Sequence, residues 1–112
     1  MAKVLIVDDE ALVRRLLEAI LKMEGHKVVM ASDGMTALCF FEKEHFDLVI
    51  TDFEMPLLNG VELILRIKEK SPGTPVIMIS GNPPAEHGAD ALLDKPIPHN
   101  ELINKIADLL RK

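Results

Sequence analysis

Four short stretches of this chain are apolar at consecutive positions, and each stops on a polar functional group. Lys3-Val4-Leu5-Ile6-Val7 ends on Asp8-Asp9-Glu10. Phe46-Asp47-Leu48-Val49-Ile50-Thr51 ends on Asp52. Val76-Ile77-Met78-Ile79 ends on Ser80, and Ala91-Leu92-Leu93-Asp94 ends on Lys95. Consecutive rather than alternating apolar residues mark strands buried on both faces, the usual state of parallel strands in an α/β sheet. A buried helix is the competing reading of the central run, but that run is too short and Met55-Pro56 punctuates it. Parallel strands bring their carboxyl ends to one edge, where open α/β sheets bind their ligands.

Helical patterns alternate with these runs. Leu12, Val13, Leu16, Leu17, Ile20 and Leu21 recur at helical spacing, with Arg14, Arg15, Glu18 and Lys22 opposite, so Ala11 to Met23 reads as an amphipathic helix that Gly25 stops. Lys27 to Ala31 reads as a strand. Asp33 offers a cap for a helix over Met35 to Lys43. After the loop Leu57-Leu58-Asn59-Gly60, a helix over Val61 to Lys70 turns Val61, Ile64, Leu65 and Ile67 inward. Pro72, Gly73 and Pro75 break it. Residues 82–90 contain Pro83, Pro84 and Gly88, which leaves room for one helical turn at most. A last helix runs from His99 to Arg111, with Leu102, Ile103, Ile106, Leu109 and Leu110 on one face. The fold class is therefore α/β, a doubly wound parallel sheet, in one domain over 1–112.

Charge narrows the partners. Net charge is −5 with 28% charged residues, which disfavours direct binding to nucleic acid or an anionic membrane. The single Cys39 allows no internal disulfide and reads as a small helix residue in a reducing compartment. The N-terminus has no signal-peptide pattern, and no apolar stretch is long enough to span a bilayer, so a cytoplasmic protein is expected. His26, His45, His87 and His99 lack metal-ligand spacing and read as surface residues.

The strand ends carry the chemistry. If the first and third strands are neighbours, Asp8, Asp9 and Asp52 meet, and like charges at that range need relief. A hard divalent cation with oxygen ligands, Mg²⁺ above all, supplies it. Lys95 adds positive charge and Ser80 a hydroxyl. A metal, a lysine, a hydroxyl and a carboxylate that can take up a phosphoryl group as an acyl phosphate are the parts of phosphoryl transfer.

Taken together, Val7-Asp8-Asp9-Glu10, Asp33-Gly34 with Ala37-Leu38, Asp47-Leu48-Val49-Ile50-Thr51-Asp52, Met55-Pro56 with Gly60, Ser80 and Lys95-Pro96 resemble the receiver domains of two-component response regulators, from Lys3 to the end of the chain. The resemblance implies a flavodoxin-like five-stranded sheet of order 2-1-3-4-5. It implies that Asp52 is the phosphoacceptor, served by a sensor histidine kinase or a phosphotransfer protein. Asp9 and Asp52 would bind Mg²⁺ directly, Asp8 through water and Glu54 through its backbone carbonyl. Ser80 and Lys95 would contact the phosphoryl oxygens, and Lys95-Pro96 would be cis. The catalysis expected is only that of the domain's own phosphorylation and dephosphorylation.

Two departures from the family pattern stand out. Only fourteen residues, Gly81 to Asp94, separate Ser80 from Lys95, too few for a complete fourth helix. Three residues before the lysine, where the family carries Tyr or Phe, this chain has Leu92, expected as a static core residue. The surface beside the fifth strand is then the expected partner or self-association site, including a phosphorylation-dependent homodimer. No output domain follows Lys112, so either a single-domain regulator or an excised module is expected. A haloacid-dehalogenase-type phosphatase is the alternative, but it wants a second Asp where this chain has Glu54. A nucleotide-binding domain would need a glycine-rich phosphate loop, which is absent.

Overall fold

The computed structural model describes residues 2–111. Five strands, β1 (Lys3–Val7), β2 (Lys27–Ala31), β3 (Leu48–Asp52), β4 (Val76–Ile79) and β5 (Ala91–Leu93), alternate with α1 (Ala11–Met23), α2 (Gly34–Lys43), α3 (Gly60–Lys70) and α4 (His99–Leu110). The strands form one parallel sheet of order β2-β1-β3-β4-β5, as expected. Every residue of β3 and β4 is buried, which is why these strands tolerate no alternation. On one face, α1 and α4 pack Leu17, Ile20, Leu21, Leu102 and Ile106 against Val4, Ile6, Leu48, Ile50 and Ile77. On the other, α2 and α3 pack Leu38, Leu63, Ile64 and Ile67 against Leu5, Val49, Val76 and Met78.

None of residues 80–90 is helical, so the β4–β5 crossover has no helix. Leu92 pairs in register with Met78, which places it on the α2/α3 face, the side that a crossover helix would cover. It is 37% exposed, not the static core residue expected, because the crossover carries no helix to cover it.

Other expectations change in detail. Leu12 and Leu16 are exposed rather than inward. At about 100° per residue, Leu16 lies about 100° and Leu12 about 140° around the helix from the buried Leu17, beyond the stripe that the sheet covers. Leu65 is exposed for the same reason. Both α2 and α3 start one residue earlier than their apolar patterns, on glycines. A Cβ on Gly34 would lie 2.3 Å from the Leu58 carbonyl oxygen, and one on Gly60 would lie 2.3 Å from that of Asp52. The backbone therefore passes too close for any side chain. Asn59 and Glu62 form a capping box at the start of α3. At the other ends, β5 stops at Leu93 and α4 at Leu110, each one residue short. Cys39 lies exposed on α2. His45 and His99 are at the surface, but His26 and His87 are half-buried, each with Nδ1 accepting a backbone N–H, from Ala2 and Ala89.

Where the crossover lacks a helix, a carboxylate anchors it. Asp90 accepts the Val76 backbone N–H and the Lys68 ammonium, at 2.8 and 2.7 Å, and Lys68 also reaches the Thr74 carbonyl. Partial burial works against the Asp90 charge, but Lys68 and the Val76 N–H outweigh it and hold its pKa below the ordinary value. Asp90→Ala orphans the Val76 N–H and should cost about 1 to 2 kcal/mol. The readout is a lower urea midpoint at unchanged slope, with a smaller loss in Asp90→Asn, which keeps an acceptor.

Candidate functional site

The four strand ends meet at the carboxyl edge of the sheet. Parallel pairing of Val7 with Thr51 and of Asp52 with Ile79 sets the ends of β1, β3 and β4 side by side. Asp8 and Asp52 are buried, at 2% and 7% exposure, because each directly follows or closes a core strand. Lys95 follows β5, and the Lys95-Pro96 peptide is cis. Its ammonium lies 3.2 Å from Asp8 Oδ2, 3.3 Å from Asp52 Oδ2 and 3.2 Å from Glu10 Oε1. Three carboxylates thus share one cation.

The remaining lone pairs are partly satisfied by backbone. Asp8 Oδ1 accepts the Glu10 N–H at 2.9 Å, and Asp52 Oδ1 accepts the Phe53 N–H at 2.8 Å. Arg14 Nη1 donates to the Asp8 carbonyl at 2.6 Å and so ties the first turn of α1 to this loop. Ser80 is buried; its Oγ accepts the Asn82 N–H at 3.1 Å, which leaves the hydroxyl proton free to donate. A cleft of about 360 Å³ opens here, lined by Asp9, Glu10, Asp52, Glu54, Ser80, Gly81, Asn82 and Lys95.

Burial dominates the electrostatics of the two buried carboxyls. Burial pushes the Asp52 carboxyl above its ordinary value, and Asp8 beside it adds to the shift; Lys95 only partly offsets both. Asp8 is raised as well, first by burial. Burial works against the Lys95 charge, yet Asp8 and Asp52 outweigh it and hold the ammonium protonated beyond the ordinary lysine value. An additional cation fits this donor set. Carboxylate oxygens of Asp8, Asp9 and Glu10 come within 4.8 Å of one another, and oxygen ligands beside an open cleft suit a hard divalent ion.

All six residues singled out from the sequence, Asp8, Asp9, Asp52, Glu54, Ser80 and Lys95, are therefore at this edge. Sequence reasoning missed Glu10, Gly81 and Asn82. Glu10 belongs to the acidic run after β1, but no local pattern reveals an ion pair with a residue so distant in the chain.

The model of the family described as response regulator receiver domain matches residues 4–107. A probable transcriptional regulator, ycf27, of Guillardia theta is 42% identical, over 98% of this chain and 46% of its own length. The autoinducer 1 sensor kinase/phosphatase LuxN of Vibrio campbellii is 35% identical, over 97% of this chain and 14% of its own length. The chain thus spans about half the length of the curated regulators it matches. Among solved structures, a CheY-like response regulator receiver domain protein of Methanospirillum hungatei superposes with a TM-score of 0.94 at 31% identity, over 99% of this chain and 94% of that one. The order of the strands, the acids and lysine at their ends, and these matches agree: the chain belongs to the response regulator receiver domain family of two-component systems.

Proposed function

We propose that residues 1–112 form one receiver unit that accepts a phosphoryl group on Asp52 from a phosphorylated histidine of a sensor kinase or a phosphotransfer protein. The observation that carries this is the Lys95 ammonium held between the two buried carboxylates Asp8 and Asp52. An Asp52 oxygen forms the new bond to phosphorus while the bond from phosphorus to the donor imidazole nitrogen breaks, and the imidazole leaves. Asp9 and Asp52, with Asp8 behind them and the Glu54 carbonyl, would hold Mg²⁺. When bound, the ion neutralises charge on the transferring oxygens. Lys95 and Ser80 take up the remaining phosphoryl oxygens. Hydrolysis by water returns the carboxylate and releases inorganic phosphate. The setting is cytoplasmic; no helix of the described residues is long and apolar enough to cross a membrane. The test is incubation with acetyl phosphate and Mg²⁺ followed by intact mass. One phosphoryl group per chain is expected, and none without the ion.

The bent crossover supplies the readout. Asn82 is tied to Ser80 Oγ, so a Ser80 that turns toward a phosphoryl oxygen must release or drag the 81–90 segment. Ordering of this segment replaces a rotating aromatic ring, since Leu92 has neither ring nor hydroxyl. Amide exchange with Mg²⁺ and beryllofluoride, a phosphoryl mimic, should slow by about tenfold across 81–90, the size of a modest change in local opening. Leu92 should change little. A large change at Leu92 with an unaltered loop would show that the ordinary switch operates.

A further inference from the structure

Glu10 breaks a local rule. It occupies the N-cap of α1, where Ser, Thr, Asp or Asn usually accept a helix N–H, yet its side chain makes no capping bond. Its carboxylate instead contacts Lys95, 85 positions along the chain. A lysine ammonium has three donors, and here its three carboxylate partners are Asp8, Asp52 and Glu10. Asp8 and Asp52 are buried, so losing the cation would leave them uncompensated. The Glu10 side chain is 62% exposed, and water can replace its partner at little cost.

We propose that Glu10 is a positioning residue that holds Lys95 at the mouth of the site in the unphosphorylated protein and must release it when a phosphoryl group arrives. This rests on the reading of Asp52 as phosphoacceptor. Uptake of the phosphoryl group then exchanges one Lys95 partner, Glu10, for a phosphoryl oxygen. Glu10 sets a threshold: the arriving group has to compete with a carboxylate already in contact.

The test is the affinity of Mg²⁺-saturated protein for beryllofluoride, titrated by NMR on wild type, Glu10→Gln and Glu10→Asp. Asp keeps the negative charge but is one methylene shorter, and at an N-cap it turns back onto the helix N–H groups. Both variants should therefore bind the mimic about threefold more tightly than wild type, the size of a partly exposed ion pair. If Glu10→Gln tightens binding while Glu10→Asp matches wild type, the residue acts only through its charge and the proposal is wrong. It is equally wrong if neither variant changes. Failure of wild type to bind the mimic would instead overturn the phosphoacceptor reading itself.

Discussion

Asp52→Ala should take up no phosphoryl group from acetyl phosphate under conditions in which wild type takes up one, and the loss should be complete rather than partial. Three carboxylates are candidates at this edge, and they differ in burial and in access to the cleft. Asp8 is 2% exposed and is not among the residues that line the cleft. Asp9 lines the cleft but is exposed. Asp52 combines burial, a wall position in the cleft, Lys95 at 3.3 Å and a backbone N–H that orients its other oxygen. That arrangement sets a carboxylate in the cleft wall with a cation beside it, where charge develops as a phosphoryl group arrives. Intact mass spectrometry decides the matter: a phosphoryl group on Asp52→Ala would move the acceptor to another residue. Asp8→Asn and Asp9→Asn should retain some uptake, because they alter ion binding and not the nucleophile.

Mg²⁺ should raise the melting temperature of wild type and do so much less in Asp9→Ala. A ligand at a hundredfold excess over its Kd stabilises the native state by about 2.7 kcal/mol. The effect should depend on pH with a definite sign. The pKa values of Asp8 and Asp52 are raised in the folded protein, so protons bind the native state more tightly than the unfolded chain. Without the ion, stability is therefore lost as pH rises through those folded values and regained on mild acidification. Asp90 and Asp47 shift the other way. The Lys3 N–H lowers Asp47, and Lys68 outweighs partial burial at Asp90; the stability they add is lost only as pH falls below the ordinary carboxylate value. The gain from Mg²⁺ should consequently be largest near neutrality and shrink as protons replace the ion. Thermal melts with and without Mg²⁺ across this range test it; equal gains in wild type and Asp9→Ala would exclude this site as the cause.

Local pattern determined the sheet, its parallel sense and the edge at which the chemistry sits. Continuous apolar runs need cover on both faces, and a carboxylate, hydroxyl or lysine at the end of such a run has only the strand-end edge to occupy. Pro83, Pro84 and Gly88 likewise limited the crossover to one helical turn at most, because proline removes helical donors. What the sequence could not decide is which apolar residues the sheet would cover. Leu12, Leu16, Leu65 and Leu92 carry the same side chain as their buried neighbours. Their exposure depends on the width of a contact that only two packed elements define. The same holds for Glu10. Its partner lies beyond β5, and the distance between them collapses to 3.2 Å only when the β1–α1 and β5–α4 loops converge. Pairing between residues far apart in sequence is a property of the closed sheet, so the acid that holds Lys95 in the resting protein became visible only in three dimensions.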